Sequence, residues 1–205
     1  MSATRGSFVV LEGCDGCGKT TQVSALVARL EADGHRVVAT FEPGATELGR
    51  SLRRLLLDDD GPVDPWAEAL LMAADRAQHV ATVVEPALAA GTWVVSDRFV
   101  GSSLAYQGGA RGLGVDAVAD LNRFATRGLE PDVVVYLAAP VAVLAGRRRG
   151  PADRIEAEGD AFLASVVAAY DAIAADRGWA VVDATGTPAE VADAVWAAVA
   201  AAVTP

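Results

Sequence analysis

The sequence predicts an α/β fold: a doubly wound five-stranded parallel sheet flanked by helices. Three observations carry that expectation. Short apolar runs alternate with segments whose apolar residues recur at helical spacing. The run Val133-Val134-Val135-Tyr136-Leu137 is continuously apolar rather than alternating, as a parallel strand covered on both faces should be. A glycine-rich loop joins the first run to the first helix, at the end of the sheet where open α/β folds bind ligands.

The elements follow in order. Phe8-Val9-Val10-Leu11 reads as a buried strand feeding the loop that starts at Gly13. Val23, Leu26, Val27 and Leu30 recur at helical spacing until Gly34 stops them. Residues 36–41 read as the second strand and 46–57 as a helix, before an acidic break with Gly61 and Pro62. Asp64 and Pro65 supply an N-cap and first-turn pair for a long helix reaching Ala90. Residues 93–96 form the third strand, ending at Asp97-Arg98, and 115–127 are helical. Val133-Val134-Val135-Tyr136-Leu137 is the fourth strand. A helix with Val141 and Leu144 then runs into Arg147-Arg148-Arg149-Gly150-Pro151, a cationic segment that breaks helical periodicity. Phe162, Val166, Tyr170 and Ile173 mark a long helix, and 180–182 the fifth strand. Thr187-Pro188-Ala189-Glu190 is a capping box for the last helix, whose Val191, Val195 and Val199 share one face. One domain over 1–205 is expected, with a short arginine-rich lid at about 147–158.

Composition narrows the classes. At 205 residues and 52% hydrophobic, the chain can fill one sizeable core. A net charge of -10 argues against a nucleic-acid surface. The apolar run 133–146 is broken by Pro140, so no membrane span is expected. Residues 1–7 lack the apolar segment of a signal peptide, and the expected location is cytoplasmic.

Gly13-Cys14-Asp15-Gly16-Cys17-Gly18-Lys19-Thr20 fits G-x-x-x-x-G-K-[ST], a phosphate-binding loop, at every required position. Lys19 is the only lysine, and every other basic residue except the two histidines is arginine. A rotatable ammonium suits a moving phosphoryl group as a point charge. In such a loop Lys19 bridges the β- and γ-phosphates of a nucleoside triphosphate, and Thr20 ligates Mg²⁺. Asp97, ending an apolar strand, is placed to hold the metal through water. With its one lysine in the loop, the chain has no N-K-x-D for reading guanine, and it has no L-S-G-G-Q. Cys14 and Cys17 are spaced C-x-x-C near a helix N-terminus, which raises the expectation of reversible inhibition by peroxide.

Over nearly its whole length the sequence resembles the bacterial thymidylate kinases. The resemblance is carried by the loop from Glu12 to Thr21, by Glu42-Pro43-Gly44 and by Ala74-Asp75-Arg76-Ala77-Gln78-His79. It continues through Asp97-Arg98, Ser102-Ser103-Leu104-Ala105-Tyr106-Gln107-Gly108-Gly109 and Asp153-Arg154-Ile155-Glu156. It implies a P-loop kinase, homodimeric, that uses ATP and Mg²⁺ to convert dTMP to dTDP. On that resemblance the catalytic set is Lys19, Arg98, Arg149 and Asp15. The ATP site is Gly13, Cys14, Asp15, Gly16, Cys17, Gly18, Lys19, Thr20, Thr21 and Arg147, with the backbone of 184–186 along the adenine. The acceptor site is Asp15, Glu42, Arg53, Met72, Arg76, Arg98, Ser103 and Gln107, and the metal ligands are Thr20 and Asp97. Three positions depart from the family pattern: Phe41 stands where arginine is common, Ala45 where a second glycine is common, and Met72 where an aromatic residue usually stacks on the base. Gly16 stands where some relatives place an arginine, so the lid arginines must supply that cation.

Two other readings make different demands. A deoxynucleoside kinase, also with Glu-Pro after the second strand, phosphorylates a hydroxyl and needs a base, which would be Glu42. A regulator that binds ATP without transfer has no use for arginines beyond the loop.

Overall fold

The computed structural model describes residues 5–58, 61–147 and 153–203. Among these, five strands form one all-parallel sheet in the order β2-β3-β1-β4-β5. The strands are β1 (Phe8–Glu12), β2 (Val37–Phe41), β3 (Trp93–Asp97), β4 (Val133–Ala138) and β5 (Ala180–Asp183). All of β1 is buried. Its Val9 and Leu11 belong to the larger apolar cluster, while Phe8 and Val10 join Val80, Val84, Leu88 and Phe99 in a second one. Both faces of the strand are therefore covered, which explains its unbroken apolar sequence.

Around the sheet lie α1 (Lys19–Ala32), α2 (Glu47–Leu57), α3 (Pro65–His79), α4 (Glu85–Ala89), α5 (Val100–Ser103), α6 (Val115–Ala125), α7 (Val141–Arg147), α8 (Asp160–Arg177) and α9 (Pro188–Val203). Two expected caps form. Asp64 accepts hydrogen bonds from the backbone of Trp66 and Ala67 at 2.9 and 3.3 Å, with Pro65 in the first turn. Thr187 and Glu190 exchange bonds as a capping box should. Among the described residues no helix is long and apolar enough to cross a membrane.

One expectation is corrected, and one segment given no element above is helical. The helix anticipated over 65–90 is interrupted by a wide π-type turn at Val80–Val84, and α4 restarts with Pro86 in its first turn, where a missing N–H is tolerated. The segment after Arg98 is helical: α5 passes into a second π-type stretch, Leu104–Ala110. Its glycines serve packing and not turns. A Cβ at Gly101 would lie 2.6 Å from the Trp179 ring, and one at Gly109 would collide with the Ala169 Cβ.

Register aligns the functional edge. Phe41 pairs with Asp97 and Asp97 with Leu11, so β2, β3 and β1 end in one row. The glycine loop, Arg98 and Glu42 all emerge from that row.

Candidate active site

The loop after β1 is shaped by glycines that nothing larger could replace. Gly13 has φ 145°, and a Cβ there would sit 2.8 Å from the Leu137 carbonyl oxygen. Gly18 precedes α1 with φ 95°, and no side chain caps that helix. The first-turn N–H groups of α1 have no acidic neighbour of their own and face a cleft lined by Asp15, Gly16, Gly18, Lys19, Thr20 and Thr21. This is an anion site built from backbone donors and the positive end of a helix. Lys19 is buried and curls back across the loop, its Nζ donating to the Cys14 carbonyl at 3.0 Å and lying 3.9 Å from Asp15 Oδ1.

The Thr20 hydroxyl donates to Asp97 Oδ2 at 2.8 Å. A hydroxyl and a carboxylate meeting at a phosphate site are hard oxygen donors, the set Mg²⁺ prefers when substrate and water complete its shell.

A second cleft is lined by Pro43, Met72, Ser103, Tyr106 and Gln107, and by Asp153 and Ile155 from beyond the arginine run. The two clefts share Asp15, Glu42, Arg53 and Arg98. Arg98 has a positive φ of 71°, an unusual state for a side chain of its size. Its Nη2 donates to Asp15 Oδ1 at 2.6 Å and its Nη1 to the Gly13 carbonyl at 2.9 Å. Burial would raise the Asp15 carboxyl, but the charges of Arg98 and Lys19 outweigh it and hold the group well below the usual range.

Beneath Arg98 lies Glu12, fully buried, which accepts from the backbone of Phe99 and Ser102 and from the hydroxyls of Ser102 and Tyr170 at 2.7–3.0 Å. Burial raises its pKa against the lowering effect of Ser102, Arg98, Phe99 and Tyr170. A third network surrounds Arg76. Its Nε donates to Glu42 Oε2 at 2.7 Å, Nη1 to Ser103 at 3.1 Å and to Asn122, and Nη2 to the Phe99 carbonyl at 2.9 Å. His79 takes the other Glu42 oxygen at 2.8 Å.

Most of the expected site residues thus come together: Lys19, Thr20, Thr21, Asp97, Gly16 and Gly18 at the first cleft, Met72, Arg76, Ser103 and Gln107 at the second, and the four shared residues between. Several expectations need adjustment. Arg76 lines its cleft with the guanidinium already committed to four protein groups, so it braces Glu42 and Ser103 more than it offers free donors. Gly13, Cys14 and Cys17 do not line either cleft; Gly13 shapes the loop, and both thiols are packed in the core. Burial pushes the Cys14 thiol up to about 12, which removes the basis for an easily oxidised pair. Arg147 Nη1 donates to the Ala184 carbonyl at 2.8 Å, so it braces the backbone expected along the adenine. Arg149 lies outside the described residues, together with Arg148.

Sequence reasoning gave no role to Glu12, Tyr106, Tyr170, Glu68 or Asp75. Glu12 carried a signal, since a charged residue closing a buried apolar strand needs partners. Glu68 carried one too, an acid within the apolar run Trp66–Met72.

A parallel sheet with a lysine-bearing phosphate loop after β1, opening onto a second cleft crossed by arginine, defines a P-loop nucleotide kinase. Comparison with known proteins makes the class particular. The family model described as thymidylate kinase matches residues 11–195. A thymidylate kinase of Synechococcus sp. (strain WH7803) is 50% identical over 199 residues, covering 93% of each chain. That of strain CC9311 is 51% identical with the same coverage. That of Prochlorococcus marinus (strain MIT 9313) is 49% identical over 182 residues, covering 85% of this chain and 84% of its own. The chain belongs to the thymidylate kinase family, the ATP-dependent nucleoside monophosphate kinases.

Proposed function

We propose that this protein transfers the terminal phosphoryl group of ATP to dTMP, giving ADP and dTDP. The reading is carried by one observation: the phosphate-loop cleft and the second cleft share Asp15, Glu42, Arg53 and Arg98. Donor and acceptor phosphates brought in from the two sides meet at Arg98. An acceptor monophosphate is already ionised at neutral pH, so transfer requires positioning and charge neutralisation and no general base. Lys19 follows the donor phosphates, Arg98 and Arg53 hold the acceptor phosphate, and Asp15 fixes Arg98 and faces the sugar. Met72 packs on the base. Thr20 and Asp97 would hold Mg²⁺, which would supply charge neutralisation for the donor phosphates. Arg149 is assigned to the transferred group, so Arg149→Ala should lower kcat far more than it changes the KM for dTMP.

The deoxynucleoside kinase reading finds no support. Both oxygens of Glu42 are occupied, by Arg76 and by His79, so it is not free to take a proton from a hydroxyl. A homodimer is proposed from the exposed apolar side chains on packed neighbours: Leu48 and Leu55 on α2, Trp66 and Leu70 on α3, and Phe124, 87% exposed, on α6. Sedimentation should give twice the chain mass.

A coupled assay for ADP release with dTMP, dUMP, dCMP and thymidine tests the function. ADP release that depends on dTMP is expected, with thymidine inert. Release with thymidine alone, or release indifferent to any acceptor, would overturn the reading.

A further inference from the structure

One buried charge cluster has no task in this scheme. Glu68, on α3, is 1% exposed and is bonded at both carboxylate oxygens. Oε1 accepts from Gln107 Nε2 at 2.8 Å and from Arg111 Nε at 3.4 Å. Oε2 accepts from Arg154 Nη2 at 2.6 Å and from Arg111 Nη2 at 3.3 Å. Arg154 also donates from Nε to the Leu56 carbonyl at 2.7 Å, and Arg111 Nη1 reaches Glu158 at 2.6 Å. Burial by itself would raise the carboxyl, but the bonds from Arg154 and Gln107 and the charge of Arg111 outweigh it and lower its pKa, so Glu68 is an anion.

An ionised carboxylate only accepts hydrogen bonds. Gln107 must therefore turn its NH₂ toward Glu68, which settles an amide orientation that is otherwise ambiguous. Its carbonyl oxygen is the polar atom left for the second cleft, which Gln107 lines together with Met72, Asp153 and Ile155. We propose that Glu68 is a positioning residue for base recognition: it fixes the Gln107 amide so that the cleft presents an acceptor to the nucleobase, and it ties Asp153–Glu158 to the same wall through Arg154 and Arg111. The proposal rests on reading that cleft as the nucleoside monophosphate site. A carbonyl oxygen there suits a pyrimidine whose ring N3 carries hydrogen, as in thymine and uracil. It meets a lone pair on the N3 of cytosine, leaving two acceptors face to face with no proton between them. A turned amide would present NH₂ and reverse the preference.

The test compares kcat/KM for dTMP and dCMP in the full-length enzyme, Glu68→Gln and Arg154→Met. The new amide of Glu68→Gln can donate to Gln107, so Gln107 is no longer held one way round. The dTMP-over-dCMP ratio should fall by about tenfold or more in Glu68→Gln, with the ATP KM within about twofold of the parent. Arg154→Met leaves Glu68 facing Gln107, so the ratio should persist while the acceptor KM rises. A folded Glu68→Gln with the parental ratio would overturn the proposal, because a merely structural Glu68 alters stability without altering base choice. Should the unpaired arginine prevent folding, Glu68→Gln combined with Arg154→Met removes anion and cation together and is read on the same ratio. Absence of dTMP-dependent ADP release in the unmodified enzyme would instead defeat the functional reading.

Discussion

Arg98 Nη2 lies 2.6 Å from Asp15 Oδ1, joining the turn after β3 to the phosphate-binding loop after β1. The contact is built from both sides: the Arg98 backbone N–H donates to the Leu11 carbonyl, and the Ser96 hydroxyl donates to the Arg98 carbonyl at 2.7 Å. On the proposed reading, donor and acceptor positions are referenced to one guanidinium, which supplies the rigidity that in-line transfer requires.

Arg98→Met should lower kcat by about 10²- to 10³-fold, the usual scale for removing one preorganised charge at a transfer site. Arg98→Lys should recover little of this, because one ammonium cannot reach Asp15, Gly13 and the acceptor phosphate in the geometry of a planar fork. Steady-state kinetics at saturating ATP provide the check. Near-parental kcat in Arg98→Lys would show that only charge is needed.

The strained backbone at Arg98 makes Glu12 a second point of leverage. Two backbone N–H groups, of Phe99 and Ser102, end on its Oε1 in a fully buried setting. Glu12→Ala leaves both donors unsatisfied and should destabilise the protein by about 3 kcal/mol or more. Urea unfolding measures this, and a loss under about 1 kcal/mol would mean that water replaces the carboxylate.

How much of this was legible in the sequence depends on the range of the interactions involved. The strands and the phosphate loop are written locally: a strand buried on both faces must be apolar throughout, and a phosphate cradle must have glycine where φ is positive. The helical character of 100–110 is not local. Gly101 and Gly109 look like turn residues until Trp179 and Ala169 are seen against them. The same holds for Glu68, whose partners Gln107, Arg111 and Arg154 lie far along the chain. Arg76 was expected to line the site from its sequence context, but only the fold shows that Glu42, Ser103, Asn122 and Phe99 have claimed its donors.

The cysteine pair yields a prediction opposite to the one that its spacing suggests. Cys14 and Cys17 are each 2% exposed and pack with the core, and burial pushes the Cys14 thiol up to about 12. Only the thiolate reacts at useful rates. Iodoacetamide near pH 8 should leave Cys14 unmodified in the folded protein, and millimolar peroxide should leave activity unchanged. Reversible peroxide inhibition, relieved by a thiol reductant, would show that the loop opens far enough to expose the pair.

Asp75 should give the protein a measurable pH dependence in the acid range. It is 1% exposed; its Oδ1 accepts from the Gly44 backbone at 3.1 Å, and its Oδ2 has no hydrogen-bond partner among the described residues. Burial, then the charge of Glu42, push its pKa up from 3.8 to about 6, against the lowering effect of Gly44, Arg76 and His79. The folded state therefore holds a proton that the unfolded chain releases between those values. Its stabilising contribution is complete below the unfolded pKa and is lost as pH rises through the folded one. A shift of that size corresponds to about 3 kcal/mol. Asp75→Asn keeps an oxygen for Gly44 and removes the titration, so the stability of the variant relative to the parent should improve by about 2 to 3 kcal/mol between pH 4 and pH 7. Paired urea titrations across that interval measure the difference directly. A constant offset between the two proteins would mean that Asp75 is ionised throughout, and that Arg76 and His79 outweigh both its burial and the neighbouring Glu42.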